Sequence, residues 1–287
     1  MTPMRLAILS DIHANAAALR AVLDTARRQG AERILCLGDI VGYNAEPAAC
    51  IALLRQADAV CVAGNHDRAV TGQITTRGFS PIAARAVEWT RRTLDAESKA
   101  LLAALPVKRV AADQVAMVHG ALHPDAGCEL VRLDTAERRA LSFDALAAHP
   151  SGVRMAAFGH THRAGVFQRS RDGTLSEGNG GRVPLDGESL CLLNPGSVGE
   201  PRGSDARASF MILDTGARAA TIHRVAYDRD ATQDLTRRAG LGPRLSGLPP
   251  GVRAALVWGV TALGLTDVVR RCLYARPAQR PFEKSWR

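Results

Sequence analysis

Three features of this 287-residue chain predict an α/β fold in which two packed β-sheets are flanked by helices. The first third alternates short apolar runs with amphipathic helical stretches. The second half is dominated by further apolar runs separated by turn residues. Five of the runs stop abruptly at Gly, Asp, Asn or His. Apolar runs of this length bounded by glycine read as buried strands. An αβ half followed by a β-rich half packs as two sheets with helices outside.

In chain order, Leu6–Leu9 is the first expected strand. A helix follows over Asn15–Gln29, with Ala18, Leu19, Val22, Leu23 and Ala26 on one face, and Gly30 stops it. Ile34–Leu37 is the next strand, and Pro47 opens a helix to Gln56. Ala59–Val62 is the third strand. Two βα steps of this length imply neighbouring parallel strands with right-handed crossovers. Asp67 to Leu105 is expected to be helical, with one helix starting at Ser80-Pro81 and another over Asp95–Leu105. Val107–Ala112 and Gln114–His119 read as a hairpin. A loop-rich stretch follows over His123–Thr135, then a helix over Ala136–Ala148. Further strands are expected at Met155–Phe158, Gly165–Arg169, Leu190–Leu193, Ala208–Leu213 and Ala219–Tyr227. Ser170–Gly187, rich in Gly and polar residues, is expected to be a flexible hairpin loop. A helix over Asp230–Ala239, a linker over Gly240–Gly251 and a helix over Val252–Tyr274 close the chain before a basic tail.

Hydrophobic content of 46% and charged content of 23% suit a globular chain with a sizeable core. Aromatic residues are only 4% of the sequence, so a nucleic-acid surface built on base stacking is not expected. The net charge of +9 comes almost wholly from arginine, since Lys99, Lys108 and Lys284 are the only lysines. A positive field favours anionic ligands such as phosphates. The six cysteines form no CxxC pair and are expected to be reduced thiols of a cytoplasmic protein. The first strand starts too close to Met1 for a signal peptide, and the apolar stretch Ala254–Thr266 is too short to span a membrane.

The residues that end the five runs carry the chemistry. Asp11 and His13 follow the first run, Asp39 the second, Asn65, His66 and Asp67 the third, His119 the fourth, and His160 and His162 the fifth. Polar groups just after such strands gather at one edge of a sheet, where open α/β proteins place their sites. Carboxylate and neutral imidazole are ligands for divalent Mn, Fe, Ni or Zn. A carboxylate can bridge two cations, and Asn65 adds a neutral carbonyl oxygen. Gly38, Gly64, Gly120 and Gly159 let several backbones crowd one centre.

These residues give the chain a resemblance to the calcineurin-like metallophosphoesterase family, especially its compact bacterial phosphodiesterases. The resemblance runs through Ser10-Asp11-Ile12-His13, Gly38-Asp39, Gly64-Asn65-His66-Asp67, His119-Gly120, Gly159-His160-Thr161-His162 and Asn194-Pro195-Gly196-Ser197. It covers about Met4 to Tyr227. It implies an αββα sandwich of two mixed sheets over residues 1–228, with the helical segment 67–106 beside the site. A helix and linker (229–251) and a C-terminal helix and tail (252–287) then lie outside that domain.

The resemblance further implies a binuclear site with manganese ahead of iron, nickel or zinc. Asp11, His13, Asp39 and His162 would hold the first metal. Asp39, Asn65, His119 and His160 would hold the second. A hydroxide bridging cations about 3.5–4 Å apart would attack a phosphodiester or nucleotide-type phosphate ester. His66 would serve catalysis and Asp67 would orient it, or Asp67 would cap the following helix. Asn65, His66, His123 and Arg163 are the expected substrate-binding residues, with a plain turn at Pro124 as the other reading for His123. Arg68 and Arg202 also adjoin motifs.

Phosphomonoester or phosphoprotein hydrolysis, or a non-catalytic scaffold of the same fold, are the alternatives. The stretch Asp39-Ile40-Val41-Gly42-Tyr43 lacks the Asp-Arg of the protein phosphatases, and a full ligand set argues against a scaffold. The expected partner is a small phosphate ester. No stable nucleic-acid partner and no transmembrane segment are expected. Residues 252–287 are read as a surface for a second copy, for the body of the protein or for a membrane.

Overall fold

A computed structural model of the chain describes residues 3–202 and 204–241. Its strands are β1 (Arg5–Leu9), β2 (Arg33–Cys36), β3 (Val60–Cys61), β4 (Lys108–Ala111), β5 (Val115–Val118) and β6 (Met155–Ala157). They continue with β7 (Gly165–Arg169), β8 (Leu175–Gly178), β9 (Arg182–Pro184), β10 (Leu190–Asn194), β11 (Ala208–Asp214) and β12 (Ala219–Val225). The helices are α1 (Ala16–Arg28), α2 (Pro47–Gln56), α3 (Asn65–Val70), α4 (Pro81–Thr93), α5 (Ala96–Ala103), α6 (Ala136–Ala147) and α7 (Arg229–Arg238). The strands form two mixed six-stranded sheets, ordered β3-β2-β1-β11-β12-β9 and β4-β5-β6-β10-β7-β8. Parallel β1–β2 and β2–β3 pairing matches the two βα steps of the sequence.

Strand periodicity explains the layers. Leu6 and Ile8 of β1 pack into a core shared with Met117 of β5 and Leu193 of β10, between the sheets. Ala7 and Leu9, on the opposite face, pack with Leu19 and Val22 of α1. In the second sheet Ala116 and Val118 turn outward onto Phe143 and Leu146 of α6. These strands are apolar on both faces because both faces are covered. Asn15 caps α1 by accepting from Ala18 N at 3.0 Å, and Ser80 caps α4 ahead of Pro81. Among the described residues no helix is long and apolar enough to cross a membrane.

Two expectations change. The stretch 170–187 is not one flexible hairpin loop. It holds β8, which pairs with β7 in the second sheet, and β9, which pairs with β12 in the first. The chain therefore crosses from one sheet to the other through Asn179-Gly180-Gly181. Both strands are short edge strands whose side chains are largely exposed, so no apolar alternation marks them. Second, the five motif-bearing runs do not share one sheet. Three end in the first sheet and two in the second, so the site lies at one end of the sandwich, where both sheets meet. The expected helix over Val252–Tyr274, the basic tail and the linker beyond Leu241 lie outside the described residues.

Candidate metal centre

The ladder between β1 and β2 runs on into the loops that follow them. Asp11 N donates to Gly38 O at 3.1 Å and His13 N to Asp39 O at 2.9 Å. On the other sheet, Gly159 N donates to His119 O at 2.8 Å. The loops are therefore as well tied as the strands. They are also strained: Asp11, His13, Asp39, His160 and His162 all have φ between 49° and 60°. Such left-handed conformations cost roughly 1–2 kcal/mol each for residues with a Cβ, and such strain collects at functional sites.

Each carboxylate is held by one oxygen and presents the other. Asp11 Oδ2 accepts from His160 N at 3.1 Å, which leaves Oδ1 3.2 Å from His162 Nε2 and 3.8 Å from His13 Nε2. Asp39 Oδ1 accepts from His66 N at 2.8 Å, leaving Oδ2 3.2 Å from His119 Nε2 and 3.7 Å from His13 Nε2. The imidazoles follow the same rule. His13 Nδ1 faces Val41 O at 3.2 Å, His162 Nδ1 faces Glu200 O at 2.5 Å, and His119 Nδ1 faces Leu37 O at 2.8 Å. A ring that donates from Nδ1 to a backbone carbonyl has a bare lone pair on Nε2. His13 Nε2 and His162 Nε2 are 3.2 Å apart. His119 Nε2 lies 3.1 Å from Asn65 Oδ1 and 3.2 Å from His160 Nδ1. Acceptors this close repel unless a positive charge sits between them. Donor atoms about 2.1 Å from one cation, at roughly right angles, stand about 3 Å from each other. The buried Asp11 Oδ1 has no hydrogen-bond partner, as a ligand oxygen would not. The residues thus fit divalent cations. They fall into the overlapping groups Asp11–His13–His162, His13–Asp39–His66 and Asp39–His119–His160.

Residues 4–218 match the family described as the calcineurin-like phosphoesterase superfamily domain. The chain belongs to that superfamily. It is 34% identical over 232 residues to an uncharacterized protein of Methanocaldococcus jannaschii, covering 79% of this chain and 90% of that one. A metallophosphoesterase from Sphaerobacter thermophilus has a similar structure, with TM-score 0.70 and 34% identity over 83% of this chain and 95% of that one. A hypothetical protein from Pyrococcus horikoshii shares the fold at TM-score 0.63 and 18% identity, over 83% and 94% of the two chains. Calcineurin-like phosphoesterases typically bind divalent metals, which accords with the donor set here.

Electrostatics separate the histidines of this calcineurin-like domain. Burial holds His13, His160 and His162 below the usual imidazole range, in the neutral form that ligates. Burial also opposes charge on His119, but the Asp39 carboxylate outweighs it and pushes the ring up to about 9. Burial would raise Asp39 in turn; the imidazoles of His119, His66 and His13 prevail and hold it well below the carboxylate range. A cation at this point takes the place of the His119 proton.

His66 is buried with its Nδ1 unpartnered against Gly42. Its ring centroid is 5.0 Å from Tyr43 and 4.9 Å from Phe79. It lines a depression of about 500 Å³ together with Asp39, Asn65, His160 and His162. Asp67 makes no bond to His66. Its Oδ1 accepts from Ile40 N and Val41 N, and its Oδ2 from Gly64 N, so it ties the Asp39 loop to the start of α3. Burial, then the neighbouring Asp39, raise its carboxyl to about 7. His123 is exposed and borders neither this depression nor the one beside it. Arg163 lines the neighbouring depression. Arg68 pairs with the buried Glu129.

Sequence reasoning missed Tyr43, Phe79, Asn44 and Glu200. Asn44 Nδ2 donates to His13 O at 2.9 Å and to Glu200 Oε1 at 3.1 Å. Ser197 donates from Oγ to Asp11 O at 2.9 Å. The one sequence signal for these residues is proximity to a motif, which does not say which neighbour turns inward.

Proposed function

We propose that this protein is a phosphoesterase that uses two divalent cations, manganese first, to hydrolyse a phosphodiester or nucleotide-type phosphate ester. The observation that carries this reading is the meeting of imidazole nitrogens with amide and carboxylate oxygens from both sheets at 3.1–3.2 Å, with Asp39 Oδ2 facing both His119 at 3.2 Å and His13 at 3.7 Å. Asp11, His13, Asp39 and His162 would hold one cation, and Asp39, Asn65, His119 and His160 the other. When bound, such a pair lowers the pKa of water and neutralises charge on phosphate oxygens.

The chain's own groups do the rest. Because Nδ1 of His66 is sealed against Gly42, Nε2 is the atom from which a proton would pass to the leaving oxygen. Tyr43 and Phe79 hold the ring from its sides. Asp67 acts through the backbone, fixing the positions of Asp39 and Asn65. The free thiols of Cys36, Cys50, Cys61, Cys128 and Cys191 suit a cytoplasmic enzyme.

The test is turnover of bis-p-nitrophenyl phosphate, p-nitrophenyl phosphate, cyclic nucleotides and dinucleotide polyphosphates after metal stripping and reconstitution. Activity should vanish on stripping, return with Mn²⁺ and fall at least 100-fold in Asp39→Ala. Undiminished turnover by a verified metal-free preparation rejects the proposal.

A further inference from the structure

A second depression, of about 670 Å³, adjoins the one at the metal centre, and Arg132, His162 and Arg202 line both. Its wall carries Arg132, Arg139, Arg163, Arg202 and Arg224 against two carboxylates, Asp134 and Glu177. Several of these charges are already engaged. Asp134 is held by Arg132 and Arg138. Arg224 is 4.0 Å from Asp205. Arg139 lies 4.5 Å over the Phe167 ring. The guanidinium groups of Arg163 and Arg202 have no hydrogen bond or ion pair among the described residues, and both are exposed at the rim.

Two guanidinium groups without a hydrogen bond or ion pair, of which Arg202 also acts on the Glu200 carboxylate, stand beside the metal centre, and each offers a planar fork of donors matched to phosphate oxygens. The shared wall makes their depression continuous with the one where His66 and Asp39 lie. Resting on the function proposed above, we infer that this arginine-lined depression receives a second phosphate of the substrate. The preferred esters then carry a chain of linked phosphates, one at the metal centre and the next against Arg163 and Arg202. A simple diester with two uncharged arms leaves these arginines unused.

Calorimetric titration of the full-length, metal-stripped protein with inorganic tripolyphosphate and with orthophosphate tests this without any turnover. Tripolyphosphate should bind at least tenfold tighter, with an advantage that shrinks as salt is raised. In the double variant R163Q/R202Q the preference should fall to within about twofold. In R27Q/R28Q, which removes equal charge from the exposed end of α1, it should persist. Equal binding of the two anions by the wild type, or an undiminished preference in R163Q/R202Q, overturns the inference. The same preparation, reloaded with Mn²⁺ and assayed on bis-p-nitrophenyl phosphate, separates the two claims. Absent turnover there defeats the phosphoesterase reading itself, whereas turnover without an anion preference defeats only the subsite.

Discussion

His13 and His162 direct their Nε2 atoms at each other across 3.2 Å, although one follows β1 of the first sheet and the other follows β6 of the second. Each ring is turned so by a carbonyl behind it, Val41 O for His13 and Glu200 O for His162. Two lone pairs held face to face by backbone acceptors store repulsion that a cation relieves.

Cation binding should therefore stabilise the fold. At a free metal concentration of about 100 Kd, linkage gives about 2.7 kcal/mol, which raises Tm by roughly 5–11 °C for a protein of this size. Differential scanning calorimetry with Mn²⁺ and after chelation checks it. His162→Ala should lose most of the shift.

Asp11→Asn should separate stability from function. The amide oxygen can keep the bond from His160 N, while the amide NH₂ donates to the bare nitrogens of His162 and His13. Relieving an orphaned buried carboxylate oxygen is worth about 1–3 kcal/mol. Urea unfolding of the metal-free variant should show stability equal to or above the wild type, with the metal-induced Tm rise abolished. A destabilised metal-free variant refutes this account of Oδ1.

Gly159→Ala should damage the site out of proportion to its size. A Cβ there collides with Ser10 Oγ and comes within 2.8 Å of Asp11 Oδ2. Forcing an extra methyl into a packed site costs about 1–3 kcal/mol. Chemical denaturation should show that loss, and Mn²⁺ titration should show weakened binding, because the displaced atoms belong to the Asp11 loop.

The link from α7 to the metal loops is the fourth target. Thr236 Oγ1 donates to Asn44 Oδ1 at 3.0 Å, and Asn44 Nδ2 donates to His13 O. Asn44→Ala removes the side-chain donor from the His13 carbonyl, which keeps the backbone N–H of residue 44 at 3.2 Å, and should cost about 0.5–1.5 kcal/mol. Thr236→Val should cost about 1 kcal/mol. A double-mutant cycle should give a coupling of at least 0.5 kcal/mol. Additive losses would show that α7 and the His13 loop are energetically separate.

Much of this was legible in the sequence, for identifiable reasons. Strands such as Leu6–Leu9 stand out because both faces are buried, and Asp11, Asp39 and His119 stand out because they break apolar runs at strand ends. Helix starts at Asn15, Pro47 and Ser80-Pro81 were visible as caps and first-turn prolines. The segment with β8 and β9 was not, because edge strands bury too little to leave a pattern. Nor were Asn44 and Glu200, whose contacts span 31 and 38 residues to the His13 and His162 loops. The left-handed conformations of Asp11, His160 and His162 were also hidden, since glycine is the usual sign of such geometry.

The meeting of donors from both sheets has a mechanical consequence. A cation shared by Asp11, His13 and His162 rivets the two halves of the sandwich together at one end. Slippage anywhere along the intervening apolar layer would pull the rivet loose. The rate at which a chelator strips metal is then a gauge of how tightly the two halves are clamped.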